Sequence, residues 1–144
     1  MKILLLGYSN LARKRLLPFF KKRKINVSIA SLSYEKKIKN ISKQYNSYDF
    51  ALKNSDADLV YISLPNALHF KWAFKALKLR YHVVVDKPLC DSVYELNKLI
   101  DLSYKNKRLI AEATFFNYHS QFNTLIKHID NFDDIKKIKC NFTD

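Results

Sequence analysis

Residues 60–70 read V-Y-I-S-L-P-N-A-L-H-F, and the fold turns on how this run is divided. Positions 60–64 show no alternation of polar and apolar side chains, which is the pattern of a strand covered on both faces. Pro65 has no backbone N–H and ends that strand. Asn66 then suits a helix N-cap, and from Ala67 to residue 79 the side chains of Phe70, Ala73, Phe74 and Leu77 recur on one helical face. A buried strand that passes directly into a helix is half of a β-α-β unit. Its polar residues, Asn66 and His69, stand where such units collect ligands.

The same strand pattern, short and rich in Val, Ile or Leu, recurs at 2–6, 27–31, 82–86 and 109–113, and the central run extends over 59–64. Helical patterns lie between these runs. The first spans 10–22, with Leu11, Leu16, Leu17 and Phe20 inward and Pro18 as a kink. A weak polar helix is expected over 34–44 and a short helical turn over 49–54. The capping box S-V-Y-E at 92–95 opens a helix whose stripe is Val93, Leu96, Leu99 and Ile100. A further helix over 121–128 points Phe122, Leu125, Ile126 and Ile129 inward. Strands alternating with helices at this spacing require right-handed crossovers, and the expected fold is α/β, a Rossmann-type doubly wound parallel sheet. The closing run is different: Ile138, Cys140 and Phe142 alternate with Lys139 and Asn141, as in a strand with one wet face. It is read as the first strand of a second domain that is otherwise missing. The division expected is 1–130 and 131–144.

The chain has 144 residues, 48% hydrophobic and 14% aromatic, enough to bury one core. No apolar run approaches the roughly 18–20 residues of a membrane span, and the opening M-K-I-L-L-L-G is too short for a secretory signal, so a cytoplasmic location is expected. Cys90 and Cys140 have neither metal-ligand nor disulfide-framework spacing and read as reduced thiols. The formal charge of +13 favours phosphorylated ligands, nucleic acid or anionic surfaces without choosing among them. Most of the basic residues fall where helices would end, where they complement the helix dipole.

Four loops at strand ends carry the candidate site. G-Y-S-N-L-A at 7–12 lies where a dinucleotide fingerprint G-x-G-x-x-G/A would sit. Gly7 permits the tight turn and Ala12 close helix contact. Ser9 holds the position where glycine lets backbone approach a pyrophosphate, and its side chain could clash with phosphates or hydrogen-bond to them. The same loop would also serve as a plain strand-to-helix turn. After the second strand, Ser31 leaves room for a ribose 2′-phosphate, with Lys36 and Lys37 as candidate cations or as the start of a solvated helix. The third loop holds Pro65, Asn66 and His69, with the imidazole expected at the mouth of the crevice, although a lone histidine on a helix more often serves structure. The fourth, V-V-V-D-K-P-L-C at 83–90, presents Asp86, Lys87 and Pro88, and a lysine so placed suits polarising a hydroxyl or transferring its proton, while the tripeptide alone reads more readily as a surface lysine before a turn.

Together these segments resemble the amino-terminal half of the glucose-fructose oxidoreductase and inositol dehydrogenase family, written Gfo/Idh/MocA. The most specific part is the run from D-A-D-L-V to D-K-P-L-C-D-S, which looks like the family's P-N-x-x-H and H-V-x-x-E-K-P motifs at matching spacing. F-F-N-Y-H-S-Q-F at 115–122 resembles its aromatic-x-R-Y-H-P-Q loop. Ser9, Asp86, Arg80, Asn117 and Ser120 stand where the family has Gly, Glu, Gly, Arg and Pro. The resemblance implies NADP or NAD as cofactor and hydride transfer on a sugar, cyclitol or related polyol. It implies that Gly7, Ser9, Asn10 and Leu11 line the diphosphate, that Ser31 meets the adenine ribose, and that Leu64, Pro65, Asn66 and His69 face the nicotinamide. It further implies Asp86 in the cofactor site and Lys87 as the catalytic lysine touching both the reacting hydroxyl and the cofactor ribose, next to a cis Lys87–Pro88 peptide. The family's proton-transfer partners lie in its second domain, so cofactor binding without turnover is expected of this chain. The rival reading is a non-catalytic binding or assembly module in which Ser9 blocks the phosphates and the last strand pairs copies of the chain into a homo-oligomer. Nucleic-acid binding ranks last, for want of a groove-reading helix or stacking motif.

Overall fold

The structure, a computed structural model, describes residues 1–32, 38–129, 133, 135–137 and 139. Strand β1 (Lys2–Leu6) lies inside a sheet with β2 (Asn26–Ala30), β3 (Lys43–Tyr45), β4 (Leu59–Ile62), β5 (His82–Val85) and β6 (Ile110–Glu112). The order is β3-β2-β1-β4-β5-β6, with every neighbouring pair parallel. The strand order therefore reverses at β1, between β2 on one side and β4 on the other. The crevice above such a reversal is where doubly wound sheets bind ligands.

Alternation along the strands sends side chains to two cores. Leu4, Leu6, Val60, Ile62, Val83 and Val85 pack under α2 (Tyr48–Asn54), α3 (His69–Lys78) and α4 (Val93–Asn106), where they meet Leu52, Trp72, Leu77 and Leu99. Ile3, Leu5, Val27, Ile29 and Tyr61 form the other core with Ala12 and Phe20 of the first helix. Burial on both faces is why these strands carry no polar alternation.

The first helix shows how Pro18 is accommodated. Its central turn, Ala12–Leu16, is π-helical, and the Leu17 N–H reaches the carbonyl of Ala12 before α1 (Leu17–Lys22) continues. The wider turn falls just ahead of a residue with no N–H of its own to give. Ala12 is fully buried, whereas Leu11, expected inward, is 43% exposed.

Three other expectations change. No helix covers the described part of 34–44: residues 38–42 form turns and coil, and Lys43 and Gln44 belong to β3, an edge strand of three residues. Tyr45 alone is buried there, too little for a period to show. In α4, Ser92 does cap the helix by accepting from the Glu95 N–H, but Val93 is exposed and Ile100 borders on it, and Leu99 with Leu102 provides the packing. In α5 (Ser120–Lys127), Phe122, Leu125 and Ile126 are exposed rather than inward. Basic residues do occupy the last turns of α1, α3, α4 and α5.

Contacts divide the chain into two compact units, Met1–Ala113 and Thr114–Asp144. The strand expected at Ile138, Cys140 and Phe142 lies outside the described residues, as do Lys36 and Lys37. Among the described residues no helix is long and apolar enough to cross a membrane.

Arg80 closes α3 in the left-handed region, φ 66°, with its N–H donating to the Leu77 carbonyl at 2.9 Å. Glycine is favoured at that place because a Cβ there costs about 1 kcal/mol. The Arg80 side chain is exposed. Arg80→Gly is therefore expected to stabilise the protein by about 0.5–1 kcal/mol, read as a higher urea midpoint at unchanged slope.

Candidate functional site

At the carboxyl ends of β1, β2 and β4 the backbone opens into a cleft of about 450 Å³. Gly7 forms its floor at φ 95°, and a Cβ built there would lie 2.1 Å from the Ser63 carbonyl oxygen and 2.8 Å from Leu64 Cδ2. The β1 loop and the β4 end approach as closely as backbone permits, so this glycine is required by geometry. The ladder continues past the strand ends: the Gly7 N–H donates to the Ala30 carbonyl, and Ser63 N–H to the Leu6 carbonyl, both at 2.9 Å. Ser9, Ser31, Leu64 and Pro65 line the cleft, joined by Tyr8, Leu32, Tyr48 and Ser63, which sequence reasoning did not single out. Among the described residues, none of the lining side chains carries a charge.

A line of hydroxyls runs beneath the cleft. The Ala12 N–H donates to Ser9 Oγ at 3.0 Å, and Ser9 Oγ lies 2.6 Å from Ser63 Oγ. Ser63 donates to Asp86 Oδ2 at 2.5 Å, and the Tyr61 hydroxyl donates to Asp86 Oδ1 at 2.7 Å. Asp86 thus clasps β5 to β4, with both carboxylate oxygens satisfied from the neighbouring strand. Burial, reinforced by the hydrogen bond to the Asp86 carboxylate and by its charge, holds the Tyr61 phenol well above its ordinary pKa. A folded-state pKa above the unfolded value means that this stability is present below about pH 10 and lost as pH rises through the folded value. Burial raises the Tyr48 and Tyr81 phenols too. The urea midpoint is accordingly expected to fall between about pH 9 and about pH 11, and to fall less steeply in Tyr61→Phe.

The β4 and β5 ends are joined through His69. Its Nε2 lies 2.7 Å from the Leu64 carbonyl and its Nδ1 2.6 Å from the Pro88 carbonyl, and the ring has no exposed surface. The imidazole therefore sits behind the cleft wall, not at its mouth. Side chains in a helix lean toward its N-terminus, and at the first position of α3 this directs the ring into the gap between the two loops. The Lys87–Pro88 peptide is cis, as the resemblance implied, and Lys87 is exposed beside this joint. Asn66 is also exposed and caps nothing with its side chain: the helix opens as a 3-10 turn, Asn66–Leu68, in which the His69 N–H donates to the Asn66 carbonyl. Asn10 and Leu11 face solvent, and Asn10 Oδ1 accepts from Arg13. Gly7, Ser9, Ser31, Leu64 and Pro65 thus share one cleft, Asp86 and His69 brace it from behind, and Asn10, Leu11, Asn66 and Lys87 lie off its lining. Of the unanticipated residues, only Ser63 carried a sequence signal, a lone hydroxyl in the apolar run just before Pro65.

Residues 1–114 match the family model described as oxidoreductase family, NAD-binding Rossmann fold, the Gfo/Idh/MocA group. The dTDP-3,4-didehydro-2,6-dideoxy-alpha-D-glucose 3-reductase of Streptomyces violaceoruber is 30% identical over 95% of this chain and 42% of its own length. The scyllo-inositol 2-dehydrogenase (NADP(+)) of Bacillus subtilis is 27% identical over 59% of this chain and 26% of its own length. Among solved structures, the 3-ketoreductase KijD10 from Actinomadura kijaniata, in complex with NADP and TDP-benzene, superimposes with a TM-score of 0.84 at 25% identity, covering 90% of this chain and 42% of that one. The chain spans less than half the length of each of these relatives. A parallel sheet in the order 3-2-1-4-5-6, a glycine-floored cleft at its reversal and the match over 1–114 agree: this chain belongs to the Gfo/Idh/MocA oxidoreductase family and carries its NAD-binding Rossmann fold.

Proposed function

We propose that the chain binds NADP or NAD in the cleft above β1, β2 and β4, and forms the nucleotide-binding part of an oxidoreductase acting on a sugar, cyclitol or related polyol. The observation that carries this reading is the cleft itself, which lies at the reversal of strand order, has a glycine floor and shows no charged side chain among the described residues of its lining. Its volume falls within the range of small-molecule sites. The described part of the wall holds no carboxylate to repel a diphosphate or a 2′-phosphate at Ser31.

When bound, the nicotinamide supplies hydride transfer. The loop from Gly7 to Leu11 would hold the diphosphate, Ser31 the adenine ribose, and Leu64, Pro65 and Asn66 the nicotinamide side. Lys87 would touch the reacting hydroxyl and assist the movement of its proton. His69 and Asp86 act from behind, fixing the strand ends from which those groups project. In the same proposal the region from residue 131 onward begins a second domain that contributes substrate contacts and pairs copies of the chain. The supporting relatives are a sugar-nucleotide reductase and an inositol dehydrogenase. Calorimetric titration with NADPH and with NADH is expected to give saturable binding of at least one; no heat from either at about 1 mM, a concentration that detects interactions of only about −4 kcal/mol, discards the reading.

A further inference from the structure

Ser9 holds the loop position at which the dinucleotide fingerprint has glycine, and its hydroxyl is committed within the protein. Ser63 has one proton and gives it to Asp86 Oδ2 at 2.5 Å. A carboxylate only accepts, so the proton between the two serine oxygens, 2.6 Å apart, belongs to Ser9. Ser9 Oγ in turn accepts from the Ala12 N–H at 3.0 Å. The direction of the whole line, from Ala12 through Ser9 and Ser63 to Asp86, is set from its carboxylate end, and Tyr61 holds that end by donating to the other oxygen at 2.7 Å. A diphosphate presents acceptors and needs donors. At this point of the cleft it meets an oxygen with only a lone pair to offer, while the N–H that could have received it is already occupied.

We propose that Ser9 sets the affinity of the cleft: a nucleotide diphosphate binds only when the Ser9 hydroxyl leaves Ser63 and the Ala12 N–H, so the line to Asp86 holds the cleft in a low-affinity form. This rests on the nucleotide-binding reading above and adds to it the group that opposes the ligand. Ser63 contributes without any change of charge, because it is the acceptor that keeps the Ser9 proton from a phosphate oxygen.

The test is calorimetric titration of the full chain and of Ser9→Gly and Ser63→Ala with NADPH, NADH, ADP-ribose and adenosine, each protein first checked by thermal melting. Glycine is nearly as good a helix cap as serine, and Ser9→Ala, which also lacks the hydroxyl, replaces Ser9→Gly should that variant melt early. Expected are about tenfold tighter binding of NADPH, NADH and ADP-ribose by Ser9→Gly, about the weight of one hydrogen bond, and a smaller gain in the same direction for Ser63→Ala. Adenosine, which has no diphosphate, should bind both variants as it binds the parent. Equal or weaker binding by Ser9→Gly overturns it and leaves nucleotide binding standing, as does an equal gain for adenosine. No binding of either dinucleotide by the parent removes the nucleotide-binding reading and this inference together.

Discussion

Gly7→Ala is expected to destabilise the protein by about 3–5 kcal/mol and to abolish nucleotide binding. Two costs add at this position. The residue adopts φ 95°, a conformation that side-chain-bearing residues rarely adopt, and its new Cβ would stand 2.1 Å from the Ser63 carbonyl oxygen. That oxygen belongs to the backbone leading out of β4, and Ser63 also donates its N–H to Leu6, so it cannot give way without parting β1 from β4. For a domain whose total stability is of the order of 5–15 kcal/mol, this is a large share. A fall in melting temperature of roughly 10–15 °C is expected, with poor recovery of soluble protein. A variant that melted within a few degrees of the parent would mean that the β1 loop and the β4 end are not in contact.

His69→Ala is expected to cost about 2–4 kcal/mol, the second largest effect. The imidazole is wholly buried, and both its nitrogens lie against carbonyls, those of Leu64 and Pro88. Alanine leaves a cavity at the joint between the β4 and β5 ends and takes away the ring's N–H donation there. His69→Gln, which keeps an N–H donor, should recover part of the loss. The urea midpoint measures stability, and NADPH affinity measured well below that midpoint separates a loosened cleft from simple unfolding. An alanine variant as stable as the parent would show that the ring fills no structural role there.

Much of this arrangement was legible in the sequence. Strands buried on both faces are near-continuous apolar runs, so β1, β2, β4, β5 and β6 stood out within about two residues. The edge strand β3 did not, because three residues of which only Tyr45 is buried carry no period. The stripes of α4 and α5 were misjudged for a related reason: helical spacing shows that Val93, Phe122 or Leu125 could share a face, but whether anything covers that face is a tertiary property. At the cleft, Gly7 and Ser9 could be placed because a strand-to-helix loop fixes where they stand, and Ser31 because it directly follows β2. His69 was placed at the right joint with the wrong orientation, since chain spacing locates a Cα and not the direction of a ring. The hydroxyl line from Ser9 to Asp86 joins three separate loops, and no local pattern announces it.

The most direct test is amide NMR of the chain labelled with ¹⁵N, titrated with NADPH and then with NADH. Saturable shifts that begin at Gly7, Ser9, Ala12, Ser31 and Leu64, the loops around the strand-order reversal, are expected. Saturable shifts confined to other surfaces, or none with either nucleotide, would contradict the assignment of that cleft.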